Sequence, residues 1–141
     1  MTSDSRGLAV GDVREQVLVE DLTRTQIVQY AGASGDYNPL HSDEVYAREI
    51  AGYPGIFAHG MLTMGMTGRL LTDWLGDGSL LEYGVRFVRQ VWPGDALTAR
   101  GEVTAIGERD GRRVAEVSLT TTNQDGTVVL TGTATALLAE A

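Results

Sequence analysis

The hydrophobic and polar positions of this 141-residue chain change rhythm halfway along. "REQVLVED" (14–21) alternates briefly and predicts a short strand. Leu22, Ile27, Tyr30 and Ala31 then share one side of "RTQIVQYAGA", a helix that Thr23 can cap and that Gly32 and Gly35 should stop. Ser42 stands where a cap would begin a second short helix, "DEVYAREIA", ended by Gly52 and Pro54. The stretch "AHGMLTMGMTGRLLTDWLG" (58–76) is longer. Its Met61, Leu62, Met64, Met66, Leu70, Leu71, Trp74 and Leu75 cover most of the circumference, so burial on several sides is expected. Gly65 and Gly68 each cost such a helix about 1 kcal/mol relative to alanine, which points to close approach by a sheet or a ligand.

From Leu80 onward the spacing drops to two. "LLEYGVRFVRQVW" places Leu81, Tyr83, Val85, Phe87 and Val91 on one face. "ALTARGEVTAIGE", "RRVAEVSLTTTNQ" and "TVVLTGTATALLAE" follow as β-branched runs, with Asp110-Gly111 and Asp125-Gly126 as turns between them. The fold expected is α+β: a single domain over 1–141 in which one antiparallel sheet curls around one buried helix, residues 1–9 being flexible.

Composition narrows the function. Hydrophobic residues at 43% and charged residues at 21% are ordinary for a globular chain. The absence of cysteine excludes a thiol nucleophile, an iron–sulfur cluster and a disulfide framework. No run approaches the roughly 18 apolar residues of a membrane span, and the opening "MTSDSRGLAVGD" does not read as a signal peptide. These features point to a cytoplasmic enzyme or binding domain. The net charge of −8 argues against nucleic acid as a partner.

The chemistry concentrates in "SGDYNPLH" (34–41), which holds one of the two histidines. Gly35 opens a backbone angle closed to other residues, and Pro39 stiffens the next turn. Asp36 and His41 can then converge on one water and exchange protons with it near neutral pH, with Asn38 orienting either group. The same residue types also make plain turns, because Asp and Asn side chains bond nearby backbone N–H groups. Spacing alone leaves both readings open. With only His41 and His59 present and no Cys, a metal site is not expected. In "AHGMLT" (58–63), Gly60 sits where a helix N-terminus offers unpaired N–H groups; the sequence is equally consistent with His59 and Gly60 being just the start of that helix.

"Y-x3-SGDYNPLH-x5-A", from Tyr30 to Ala47, closely resembles the hydratase motif of the MaoC-like, (R)-specific enoyl-CoA hydratase family. "AHGMLTMG" resembles its second block, "VRFVRQVWPGD" (85–95) the strand and turn that follow, and the likeness runs over roughly residues 10 to 138. The resemblance implies a hotdog fold, usually dimeric, and reversible hydration of a trans-2-enoyl thioester to the (R)-3-hydroxyacyl product. It places Asp36 and His41 as the catalytic pair, Asn38 as a supporting amide and Gly60 as the backbone donor to the thioester oxygen. Gln90 departs from the proline of many relatives, and Gly68 stands where some carry a serine, with Thr67 adjacent. The combination of "AHGMLTMG" and "TDWLG" is similar to short dehydratase subunits of mycobacterial-type fatty-acid elongation, some of which work with a non-identical partner. A homodimer, or a heteromer with a related hotdog subunit, is therefore expected.

No cofactor is expected beyond the substrate, an acyl thioester of coenzyme A or of acyl carrier protein. Arg86, Arg89, Arg112 and Arg113 are candidates for the phosphates of coenzyme A, Arg89 lying on an otherwise apolar face. An acidic chain favours coenzyme A over an acidic carrier protein. Tyr37, Tyr53, Ile56, Phe57, Met61 and Met64 can line an acyl tunnel, as His59 can line the substrate site, or they can be plain core. Two rivals share this fold: a hotdog thioesterase and a non-catalytic hotdog subunit.

Overall fold

The computed structural model describes residues 5–140. The chain runs β1 (Val13–Val19), α1 (Arg24–Ser34), α2 (Gly60–Leu75), β2 (Leu80–Phe87), β3 (Leu97–Arg109), β4 (Arg112–Thr122) and β5 (Val128–Leu137). Its strands form one antiparallel sheet in the order β1-β3-β4-β5-β2. The expected α+β architecture, a sheet around one long helix, is what the chain adopts.

Local chemistry explains the element ends. Thr23 accepts from the Gln26 N–H while the Gln26 side chain accepts from the Thr23 N–H, a reciprocal cap on α1. Helix α1 runs through Gly32 and stops at Gly35, whose φ of 75° lets its N–H close onto the Ala31 carbonyl. Asp110 and Gly111, at φ 52° and 79°, make the two-residue turn that matches the twist of β3 and β4. Asn123 instead organises a wider loop into β5, its Oδ1 accepting from the N–H groups of Asp125 and Thr127.

Helix α2 crosses the concave face of the sheet, touching β1, β2, β3 and β5. Leu70, Leu71 and Trp74 pack there among Leu97, Ala99, Val103, Val117 and Leu130. Gly101 makes the approach possible: a Cβ on it would lie 3.1 Å from the Trp74 ring and 3.2 Å from Leu70. Inside this contact the hydroxyls of Thr67 and Thr121 share a 2.7 Å hydrogen bond, so neither is left unpaired in the core.

Several expectations are corrected. The buried positions of α2 are Thr63, Thr67, Leu70, Leu71, Trp74 and Leu75, one stripe at helical spacing, because the sheet covers one face. Met61 is 55% exposed. Gly68 does meet a neighbour, since a Cβ there would lie 3.2 Å from the Tyr83 ring, whereas a Cβ on Gly65 would meet nothing within 4 Å. Tyr83 and Val85 face the core, but Leu81 and Phe87 are about half exposed and β2 ends at Phe87, before Val91. Ser42 does not cap the second helical stretch; Asp43 does, accepting from the Tyr46 N–H, and that stretch includes a π turn over Tyr46–Ile50. Within the supposedly flexible start, Ser5–Gly7 forms a 3-10 turn and the buried Ser5 hydroxyl accepts from the Ala139 N–H. Residues 1–4 lie outside the described residues.

The two helical glycines should respond differently to one change. Gly65→Ala is expected to raise the free energy of unfolding by about 0.5–1 kcal/mol, since only the backbone penalty is removed. Gly68→Ala should gain less or lose, because Tyr83 is held by a 2.6 Å bond from its hydroxyl to the Met64 carbonyl. Urea melts of both variants check the ordering.

Candidate active site

Beyond Gly35 the chain folds on itself by side-chain-to-backbone bonds. The Asp36 N–H donates to Ser34 Oγ at 3.1 Å, the Asn38 N–H to Asp36 Oδ1 at 3.2 Å, and the Leu40 N–H to Asn38 Oδ1 at 3.0 Å. The turn-forming use of Asp and Asn is therefore realised in full. The Asn38 side chain shapes the 3-10 turn Pro39–His41 by accepting from the Leu40 N–H, while its backbone holds both candidates, its N–H donating to Asp36 Oδ1 and its carbonyl accepting from the His41 N–H at 3.0 Å.

That turn drives His41 inward. The residue is 9% exposed and its Nδ1 lies 2.6 Å from the Phe57 carbonyl. A carbonyl only accepts, so Nδ1 carries the proton and Nε2 keeps a bare lone pair. Asp36 remains exposed. Even so, a carboxylate oxygen of Asp36 and a ring nitrogen from each of His41 and His59 lie within 4.8 Å of one another. A single water, at about 2.8 Å from each partner, spans such a gap.

His59, expected to contact substrate, is only 2% exposed. It is the N-cap residue of α2 but its side chain makes no cap bond, and its Nε2 donates instead to the Asp36 carbonyl at 3.1 Å. Its ring stacks on His41 with centroids 3.9 Å apart and planes 26° from parallel. The stack continues on both sides, with Tyr30 edge-on to His59 at 4.8 Å and Phe57 edge-on to His41 at 5.3 Å. Burial first, and then the neighbouring His41, push the His59 pKa below 6.5, against the pull of the Asp36 carbonyl and carboxylate. The stacking also suits the three side chains poorly to a metal. An imidazole lone pair lies in the ring plane, and two nearly parallel stacked planes do not meet within bonding distance of one ion.

The Phe57 carbonyl is itself held in place. Glu44 takes an ion pair from Arg24 of α1, a longer one from Arg48 at 3.6 Å, and the Ile56 N–H at 3.2 Å. Gly55 lacks the Cβ that would sit 2.9 Å from the Glu44 carboxylate. The Phe57 N–H then donates to the Leu40 carbonyl at 3.2 Å. Burial opposes ionisation of Glu44, but Arg24, the Ile56 N–H and Arg48 outweigh it and lower its pKa.

Beside these residues opens a cavity of about 230 Å³, lined by Phe57, Gly60, Thr63, Phe87, Arg89, Val129 and their neighbours. Gly60 is the first residue of α2, where N–H groups have no intrahelical acceptor. A Cβ on it would lie 3.0 Å from the Phe87 ring, so glycine lets that ring close over the helix start. Of the substrate-contact candidates, Phe57 and Arg89 reach the cavity, as does Gly60. Tyr37 is 71% exposed and, like Met61 and Met64, is not part of the lining. Met64 is half-buried against the core. Arg89 lies in the irregular segment after β2 rather than on the strand. Thr63, Phe87 and Val129 were not foreseen, because they come from three elements whose proximity no local pattern encodes.

A long helix embraced by a curved sheet, with an aspartate and a buried histidine converging beside its first turn, defines a hotdog-fold protein. The chain belongs to the MaoC like domain family, whose model matches residues 7–125. It is 34% identical to the (R)-specific enoyl-CoA hydratase of Aeromonas caviae over 77% of this chain and 81% of that one. It is 39% identical to enoyl-CoA hydratase ChsH3 of Mycobacterium tuberculosis over 70% of this chain. The chain spans 32% of the length of ChsH3, and 23% of that of 3-hydroxyacyl-thioester dehydratase Y from the same organism. Among solved structures, the (R)-hydratase from A. caviae superposes with a TM-score of 0.82 at 30% identity, covering 95% of this chain and 99% of that one. A chain of the ChsH1-ChsH2 complex from M. tuberculosis does so at 0.78 and 28%, covering 93% and 98%.

The Glu44 clamp has a pH signature. Its folded-state pKa is depressed below 4.5, so its contribution to stability is complete above that value and fades as pH falls through the folded-state pKa. Wild type should therefore lose more stability than Glu44→Gln on acidification below about pH 4.5. Thermal melts of both proteins across that range test this.

Proposed function

We propose that this chain catalyses reversible addition of water across a trans-2-enoyl thioester to give the (R)-3-hydroxyacyl thioester, with Asp36 and His41 holding the water. The observation that carries this reading is the convergence of an Asp36 oxygen and a His41 nitrogen within one water's span, next to a cavity that begins at Gly60. The names of the similar hydratases and dehydratases support it.

The proposed chemistry uses what each group presents. His41, with Nδ1–H committed to the Phe57 carbonyl, offers Nε2 as the base, and Asp36 accepts the water's second hydrogen bond. The water oxygen bonds to C3 as its proton passes to His41. The C2–C3 π electrons move toward the carbonyl, and the enolate oxygen accepts from the Gly60 N–H at the positive end of α2. The proton returns to C2, restoring the thioester. Every atom of water ends on the product and nothing is oxidised or reduced, so the step calls for no cofactor.

Coenzyme A is the carrier we favour, with Arg89 at the cavity available to a phosphate and a −8 chain disfavouring an acidic carrier protein. We infer a dimer through β2, which among the described residues pairs only with β5 and leaves its other edge beside the exposed Leu81 and Phe87. A homodimer is the simpler form, a related hotdog subunit the alternative. We place the chain in the cytoplasm on its cysteine-free composition; no helix among the described residues is long and apolar enough to cross a membrane.

Crotonyl-CoA should lose its enoyl-thioester absorbance with wild type and without release of free thiol. Asp36→Asn and His41→Ala should each lower turnover at least ~100-fold while keeping the fold, the scale expected of positioned acid–base groups. Thiol release would indicate a thioesterase instead. Full turnover by either folded variant would remove that residue from the site.

A further inference from the structure

We propose that His59 is a positioning residue, a neutral imidazole that ties the Asp36 backbone to α2 and supports the His41 ring from below. The inference rests on the proposed function for its meaning but on geometry for its content.

Its Nε2 lies 3.1 Å from the Asp36 carbonyl oxygen. A carbonyl oxygen cannot donate, so the ring proton resides on Nε2 and Nδ1 is left bare. That Nδ1 is buried and has no hydrogen-bond partner. An unpaired buried acceptor is unfavourable, and a phenylalanine would fill similar space without one. Packing alone therefore does not account for a histidine here. The polar edge that is satisfied, Nε2–H on Asp36, does account for it.

The contacts show what this edge achieves. Asp36 lies 23 residues before His59 and sits in an exposed loop, whereas His59 sits at the start of the central helix. The bond fastens the loop to the rigid element. The same ring lies 3.9 Å from that of His41, and Tyr30 of α1 backs it edge-on at 4.8 Å. The His41 ring thus packs against both His59 and Phe57.

Neutrality matters to this role. The titratable groups facing His59 are Asp36 from the loop, His41 from the 3-10 turn and Tyr30 from α1. A proton on Nδ1 would find no acceptor there. It would also put a second cation beside His41 whenever His41 holds the water's proton. Burial keeps the His59 pKa low, in accord with a ring that stays neutral through the catalytic cycle.

With two histidines in the chain, long-range 1H–15N spectra of 15N-histidine-labelled protein are readily assigned using a His59→Phe variant. The expected result is one histidine fixed as the Nε2–H tautomer, with a titration midpoint displaced below 6.5. An Nδ1–H tautomer, or an ordinary midpoint near 6.5, would overturn the proposal whether or not the protein turns over crotonyl-CoA. Kinetics supply the second arm. His59→Phe should lower kcat roughly 10- to 100-fold, with KM within about threefold and Tm unchanged or raised, a split that lost packing does not produce. His59→Gln restores a donor at the position of Nε2 and should recover part of kcat. Undiminished kcat in His59→Phe sinks the idea. If that variant fails to fold, a folded His59→Gln protein without turnover sinks it equally. Loss of activity in wild type itself would strike the proposed function and leave the spectroscopic result standing.

Discussion

Two backbone carbonyls control this site. Phe57 takes the Nδ1 proton of His41 at 2.6 Å, and Asp36 takes the Nε2 proton of His59 at 3.1 Å. Each bond crosses between the 36–41 loop and the 57–59 segment, and the two run in opposite directions. Together they lock both tautomers, stack the rings and leave His41 Nε2 as the one histidine nitrogen that is neither committed to a carbonyl nor sealed off unpaired. A loop built only from local turns could not hold an aspartate and a histidine in fixed relation. The crossing bonds make it part of the helix start.

Much of the remaining structure keeps those carbonyls where they are. Glu44, gathering Arg24, Arg48 and the Ile56 N–H, binds the beginning of α1 to the segment that carries Phe57. Tyr53 and Trp92 add edge-on contacts to the Phe57 ring at 5.0 and 5.7 Å. Behind them α2 is held in the sheet by Leu70, Leu71 and Trp74, with Gly101 admitting the close approach. The helix therefore serves twice: its C-terminal half is core, and its first residue, Gly60, lines a cavity beside Phe87.

Legibility in the sequence followed the range of the interaction. Strands β1 to β5 were readable because alternation and β-branched runs are local, and so were the α1 cap at Thr23 and the Asp110-Gly111 turn. Burial of α2 was overestimated because a run of methionines and leucines around a helix says what can be buried, not which side the sheet covers. Met61 and Gly65 fell on the uncovered side. Ser42 and Asp43 are both good caps by type, and only the path of the chain selected Asp43. Arg89 was assigned to a strand that ends two residues earlier, yet it reaches the cavity from the irregular segment beyond.

By itself the sequence determined the fold class, the family and the identity of the candidate pair, because periodicity, turn chemistry and the "SGDYNPLH" motif are all short-range. The tertiary structure alone decided the role of His59. The motif placed it near a helix start, but its buried bare nitrogen, its bond to Asp36 and its stack on His41 exist only once residues 23 and 18 positions away are folded against it. The same holds for the cavity, whose walls come from α2, β2, β5 and the segments before α2 and after β2. Hydrogen-bond direction and burial belong to three-dimensional neighbours, and no pattern of spacing along the chain contains them.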